Sequence, residues 1–246
     1  MALASVTRFA LDVRVGPRTL DMARQLVASV AMCCRSLTDR LLVLIDNHLP
    51  YPQAILDVFG RLMHRRRKRG RGRKKYPALK PPPNLLVGVV EKVRSKTGKV
   101  LKVKARRLFG SMKRITWWIR RLHLGRRVNT AHVERLNGTM RGHQARLARR
   151  TRSGSRLDAA LQWSLSLWRD LYNWVWPHGS LIPMHRDATT PAMAMGLAEG
   201  LWTARRYAEY PVHVSDLQRQ DRAERRNNLL ESALDKYLRK KALPTS

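Results

Sequence analysis

Hydrophobic positions change period several times along the chain, and each change marks an element. Val6 to Val15 mixes β-branched and aromatic residues with Arg8, Asp12 and Arg14 and closes at Gly16-Pro17, the pattern of a strand ended by a turn. From Thr19 to Cys34 the apolar residues Leu20, Ala23, Leu26, Val27 and Val30 recur at helical spacing, with Thr19 placed to cap. Leu41 to Ile45 is an apolar run ending in Asp46, which predicts a buried strand that delivers an acid at its C-terminal end. Leu85 to Val93 and Val100 to Phe109 alternate apolar and basic residues across Gly98, predicting a β-hairpin with a Lys- and Arg-rich face that extends the sheet or forms an insertion beside it. Between Asn129 and Arg152, Val133, Leu136, Met140 and Leu147 mark the apolar stripe of a basic helix, with Thr130 as its cap. In Arg156 to Trp176 the residues Leu157, Leu161, Leu165, Trp168, Leu171 and Val175, joined by Trp163, Trp174 and Trp176, make a helix apolar nearly all round, which predicts burial. Ser215 to Lys241 has only a thin stripe, Leu229, Leu230, Leu234, Tyr237 and Leu238, and reads as a surface helix or a charged tail.

Arg61 to Lys75 has no apolar period at all. Its cations, among them Arg65, Arg66, Arg67, Lys68, Arg69, Arg71, Arg73, Lys74 and Lys75, are spaced by glycines and cannot pack a core, so the segment reads as a solvated arm. Pro81-Pro82-Pro83 stiffens the return.

Composition sharpens this picture. Fifty Lys and Arg against seventeen Asp and Glu give a net charge of +33, which calls for a polyanionic partner, nucleic acid before a membrane surface. At 246 residues and 43% hydrophobic the chain is long enough to bury a core. No apolar run approaches the ~20 residues of a spanning helix and no leader-like segment opens the chain, so a soluble, cytoplasmic protein is expected. The two cysteines, Cys33 and Cys34, are adjacent and lack the spacing of a zinc site, and read as buried thiols of a helix. Trp117 and Trp118 sit in a basic helical segment, where they either pack a core or stack on bases; packing is the expectation.

Two acids stand out. Asp46 lies where open α/β sheets place ligand and catalytic groups, although an Asp at a strand end also caps turns. Glu134 falls in the first turn of the basic helix, where the positive helix end favours a carboxylate, and Asn137 and Arg141 share its face. Its alternative is a surface ion pair with Arg135 or Arg141. The run Asn129-Thr130-x-x-Val133-Glu134-Arg135-Leu136-Asn137-Gly138-Thr139-x-Arg141 resembles the segment that carries the last acid of DDE-type insertion-sequence transposases. Gly16-Pro17-Arg18-Thr19, the residues after Asp46, the stretch Tyr172-Asn173-x-x-x-Pro177-His178-x-Ser180-Leu181 and Thr190-Pro191-Ala192-Met193-Ala194 are similar to further segments of that family.

The resemblance implies an α/β fold: an RNase H-like mixed sheet flanked by helices, with a basic β-hairpin insertion and a helical C-terminal extension. On that reading 1–60 begins the RNase H-like domain with most of its first strand missing, and 61–84 is the flexible arm. Residues 85–127 hold the hairpin and the Trp-rich segment, 128–210 the half with the catalytic helix, and 211–246 the tail. The resemblance further implies a transposase that binds element ends and target DNA, pairs with a second copy, associates with the nucleoid, and cuts and joins phosphodiesters through two Mg2+ or Mn2+ ions. Asp46 and Glu134 would be catalytic and metal-binding. Arg135, Asn137, Arg141 and the arm cations would contact DNA. The family's first acid falls at Ala4, so cutting by this chain is expected to be defective; Asp12, inside a strand, does not inherit the role. The competing readings are a non-enzymatic DNA- or RNA-binding protein on the same scaffold and a ribosome-associated protein. The segment Tyr172 to Leu181 is expected to fix a helix exit, with His178 a structural hydrogen-bonder.

Overall fold

The computed structural model describes residues 1–34, 41–63, 78–147, 154–181 and 188–211. The long apolar run centred on Val87 builds the middle of the molecule. Strand β6 (Leu85–Arg94) lies between β3 (Leu41–Asp46), to which it is parallel, and β7 (Val100–Phe109), to which it is antiparallel. Helix α2 (Pro50–Phe59) belongs to the crossover that a parallel pair requires. Leu85, Val87 and Val89 meet Ala23 and Val27 of α1 (Leu20–Cys33) and Ala54 and Ile55 of α2. Leu86 and Val90, on the other face, meet Ile115 and Ile119 of α3 (Met112–Arg121) together with Leu124 and Val128. With both faces covered, β6 from Leu85 to Val90 is one continuous buried run, each large side chain contributing about 1.5–3 kcal/mol. Alternation was the wrong template for β6; of the two arrangements expected for the hairpin, it extends the sheet, with β6 in the middle and β7 at the edge. Gly88 is a tight spot: a Cβ there would lie 3.0 Å from Val128 and 3.1 Å from Leu44, so those side chains would have to shift by a few tenths of an ångström.

A second core joins the N-terminal hairpin to the later helices. β1 (Ala2–Ala4) pairs antiparallel with β2 (Phe9–Asp12), and Ala10 and Val13 pack on Leu136 and Met140 of α4 (Ala131–His143) and on Leu165, Trp168 and Tyr172 of α5 (Asp158–Trp174). The expected strand from Val6 to Val15 is thus shorter, because residues 5–8 turn, with Arg8 at φ 60°. Two amides of α5 satisfy backbone groups of this segment. Asn173 accepts from Ala10 N–H at 2.8 Å and donates to the Ala10 carbonyl at 2.9 Å; Gln162 accepts from Val15 N–H and donates to the Val13 carbonyl, both at 2.8 Å. Asn173 is 1% exposed, so its two bonds satisfy Ala10 in a place water does not reach, while those of Gln162 are part-buried.

Several expectations hold in detail. α1 starts at Leu20, with the Thr19 hydroxyl accepting from Met22 N–H, and β3 ends in Asp46. His178 bonds Ser180, and Leu181 is buried, so the Tyr172 to Leu181 segment does fix the exit of α5. Others need correction. α4 stops at His143, followed by a 3-10 turn at Ala145–Leu147, so the basic helix is shorter than its stripe implied. Thr130 does not cap it through its side chain; the Asn129 side chain accepts from Ala131 N–H instead. α5 buries Leu165, Trp168, Tyr172 and Asn173, but its apolar circumference is not wholly covered, since Trp163 is 74% exposed and Leu167 is exposed too. Cys33 is exposed at the end of α1. Residues 61–63 are not arm but β4 (Arg61–Met63), paired antiparallel with β5 (Ala78–Lys80).

The arm cations from Arg65 to Lys75 and the tail from residue 212 lie outside the described residues. Met1–Trp202 forms one compact unit. In the other unit, which begins at Thr203, a short helix Ala204–Ala208 is capped by the Thr203 hydroxyl and carries an Arg205–Glu209 pair at 2.7 Å.

Candidate carboxylate site and nucleic-acid interface

The parallel register of β3 and β6 sets Asp46 beside Val90. Paired residues point to the same face of a sheet, as do residues two apart on a strand, so Asp46, Val90 and Lys92 share the face that α3 covers lower down. Strand geometry places the Cα atoms of Asp46 and Lys92 roughly 8 Å apart. Lys92 lies beyond the end of β3, and its ammonium reaches the Glu134 carboxylate of α4 at 2.5 Å. Lys92, which holds Glu134, thus lies on the same sheet face as Asp46 and two positions beyond it along β6. Asp46 is exposed, and its charge acts on the Tyr51 phenol and the Met1 amine. Burial pushes the Tyr51 phenol up and the Met1 amine down; Asp46 adds to the first and opposes the second.

Glu134 also accepts from the Thr130 hydroxyl at 2.6 Å. The hydrogen bond from Lys92, then that from Thr130, holds the Glu134 acid below its ordinary value, with burial opposing and the charges of Lys92 and Arg94 adding to the drop.

The two-ion centre that the resemblance implies needs a third carboxylate. The position that should hold it, Ala4, ends β1 without one. Asp12 is no substitute: it is 6% exposed and accepts from Val13 N–H at 2.8 Å, Arg14 at 2.7 Å and Ser29 at 2.6 Å, with Arg169 at 3.8 Å. Among the described residues no group of three His, Cys, Asp or Glu is placed to hold a metal. Two carboxylates, one already paired to an ammonium, do not fit a Mg2+ or Mn2+ pair.

Beyond Asp46 both faces of the sheet carry cations: Lys92 shares the face of Asp46, whereas Lys102, Lys104 and Arg106, opposite Val93, Glu91 and Val89, lie on the other. Past Val90, β6 and β7 continue as a two-stranded ribbon through a tight turn in which Gly98 takes φ 83°. β7 is exposed from Val100 to Arg107, and Lys102, Lys104 and Arg106 alternate onto one face; Arg106 donates to Asn47, the residue after Asp46, at 2.8 Å. Lys92, Arg94, Lys96 and Lys99 add charge on β6 and its turn, against the single acid Glu91. On α4, Arg135 and Arg141 are exposed and Asn137 is half-buried. Arg8 lies near enough to Arg135 for the two charges to disfavour each other, although burial is the larger cause that lowers the Arg8 guanidinium. Burial, then the same two arginines, holds the His132 and His178 imidazoles below the ordinary value, so both are largely neutral at neutral pH.

Sequence reasoning singled out Asp46 and Glu134 but not Lys92, the partner that the fold gives Glu134. Its signal was present: a lysine two positions past the apolar run of a central strand falls beside the end of the neighbouring strand. No family model, curated protein or solved structure matches the chain.

Proposed function

We propose that this chain is a DNA-binding protein of the transposase kind, in which an RNase H-like scaffold holds duplex DNA on a cationic ribbon beside the Asp46–Glu134 end of its sheet. The observation that carries this reading is the β6–β7 ribbon, whose outer strand is exposed from Val100 to Arg107 and sets Lys102, Lys104 and Arg106 along one face. A two-stranded ribbon is one of the two shapes that enter the major groove, and lysines on it meet phosphates without reading sequence. The scaffold assignment is supported by the parallel β3–β6 pair, the strand-end Asp46 and the later helix bearing Glu134. Cutting and joining of phosphodiesters, the chemistry the resemblance implies, requires three acids, and Ala4 stands at the first of them. Binding without cutting is therefore the proposed activity.

One observation favours a second reading, a non-enzymatic DNA- or RNA-binding platform: Lys92 neutralises the acid that catalysis would use.

The test of the first reading is fluorescence anisotropy of labelled duplex DNA titrated with protein at several salt concentrations. Wild type should bind with a steep negative slope of log affinity on log salt. Lys99, Lys102 and Lys104 together changed to Ala should flatten that slope by up to about 3, near 0.9 for each phosphate left without its cation. An unchanged slope removes the ribbon from the interface, and an absence of binding at low salt removes nucleic acid as the partner. Metal-dependent cleavage by the chain as given, abolished by Glu134→Gln, would instead restore the enzymatic reading. Binding of structured RNA in preference to duplex DNA would favour the platform.

A further inference from the structure

Helix α3 carries a feature that the ribbon and the carboxylates leave unused. Its sequence, Met112 to Arg121, buries Ile115 and Ile119 completely against the sheet. Lys113, Arg114 and Trp117 are exposed away from that face, and with Trp118, which flanks it and packs on the core with part of its ring, they line an open cleft of about 400 Å3. Spacings of three and four residues bring these side chains together over successive turns. Trp117 is 54% exposed, an unusual state for so large an apolar ring. Its ring centroid is 4.8 Å from that of Trp118 with the planes at 90°, so the two indoles form a right-angled corner. Neither Lys113 nor Arg114 forms an ion pair among the described residues, and α3 has no acid along its length. Arg120 and Arg121 continue the positive charge into the last turn.

We infer that this corner is a stacking site for an unpaired nucleobase, with Lys113 and Arg114 holding the phosphates on either side, so that α3 binds single-stranded nucleic acid. The inference rests on the nucleic-acid reading above and adds a second, chemically different surface to it. The indole face offers stacking, which accepts any base, while the cations alone serve any polyanion. An exposed aromatic ring set among cations is what distinguishes a single-strand site from a purely electrostatic one: a duplex keeps its base faces stacked inside and presents only edges and backbone. The cleft volume also lies within the range of small-ligand sites, about 300–1,000 Å3.

The experiment compares the full chain with its Trp117→Ala and Trp117→Phe variants, using anisotropy of a labelled oligothymidylate and of a labelled duplex, with circular dichroism melts to confirm folding. Trp117→Ala should weaken single-strand binding by about 5- to 150-fold, the equivalent of ~1–3 kcal/mol for one stacked base, and change duplex binding less than about twofold. Trp117→Phe, which keeps an aromatic face, should recover most of the single-strand affinity. Equal single-strand binding by wild type and Trp117→Ala overturns the stacking site and leaves the nucleic-acid reading standing, because both probes still bind. Equal losses on both probes, or a Phe variant as weak as the Ala one, also overturn it. Failure of wild type to bind either probe overturns both readings together.

Discussion

Replacing Lys92 by Met keeps the length and packing of the side chain and removes the ammonium that bonds Glu134. The pair is partly exposed, 31% at Lys92 and 50% at Glu134, so solvent screens it and the coupling should be about 0.2–1 kcal/mol in low salt, not the several kcal/mol of a buried pair. Its pH dependence has a definite sign. Glu134 is held below its ordinary value in the fold, so its contribution is fully present above the unfolded value of about 4.3. It shrinks as acid carries the pH through the lower folded value, and is gone once the folded carboxyl is protonated. The assay is a double-mutant cycle, Lys92→Met with Glu134→Gln, read by urea unfolding near pH 7 and again near pH 2. The coupling should appear at the first pH, fall at the second, and decrease in high salt. In parallel, the carboxyl carbon of Glu134 followed by NMR should titrate higher in Lys92→Met than in wild type, yet keep part of its depression through Thr130. A zero coupling near pH 7 together with an unmoved Glu134 titration would refute the pairing.

Asn173→Ala should destabilise the fold by about 2–4 kcal/mol in urea melts, because it strands both the N–H and the carbonyl of Ala10 in a dry site. Gly110 and Gly98 both take positive φ, but a Cβ at Gly110 would lie 2.3 Å from Leu86 whereas one at Gly98 would meet nothing within 4 Å. Gly98→Ala should therefore cost only the backbone strain of about 1–2 kcal/mol, and Gly110→Ala clearly more, as measured by thermal unfolding. Burial, opposed by Arg8, pushes the Tyr172 phenol up to about 12, so its contribution to stability is whole below the unfolded value of about 10 and is lost as the pH rises towards 12. Tyr172→Phe should remove that alkaline loss, visible as a flatter dependence of unfolding free energy on pH between about 10 and 12.

What the sequence revealed depended on whether the deciding contact was local. Thr19 and the residues after it announce α1, and an apolar run ending in an acid announces β3, because caps and runs are properties of neighbours in the chain. β6 was legible as a strand but not as the sheet's centre, since only the helices on both sides make Leu85 to Val90 uniformly buried. Trp117 could have been judged more sharply. Adjacent helical residues diverge by about 100°, and Ile115 and Ile119 already claim the buried face, so both indoles cannot share it. Glu134 stood out only through resemblance; helix physics alone makes it an ordinary first-turn acid. Its ion pair was foreseen with Arg135 or Arg141 on its own helix, whereas the partner is Lys92, 42 residues away, which tertiary structure alone supplies.

The two amides of α5 that complete the N-terminal hairpin carry a consequence for how the chain is made. Ala10 waits for a partner 163 residues downstream, and Val13 and Val15 for one 149 and 147 residues downstream. At about 5–20 residues per second, the ribosome takes roughly 10–30 seconds to add that much chain. For that interval the hairpin emerges with hydrogen-bonding groups unmet and its apolar face uncovered, a template on which other strands can add. The segment around β2 is thus the place where a nascent copy is most open to mispairing with another copy, and the arrival of α5 closes the period of risk.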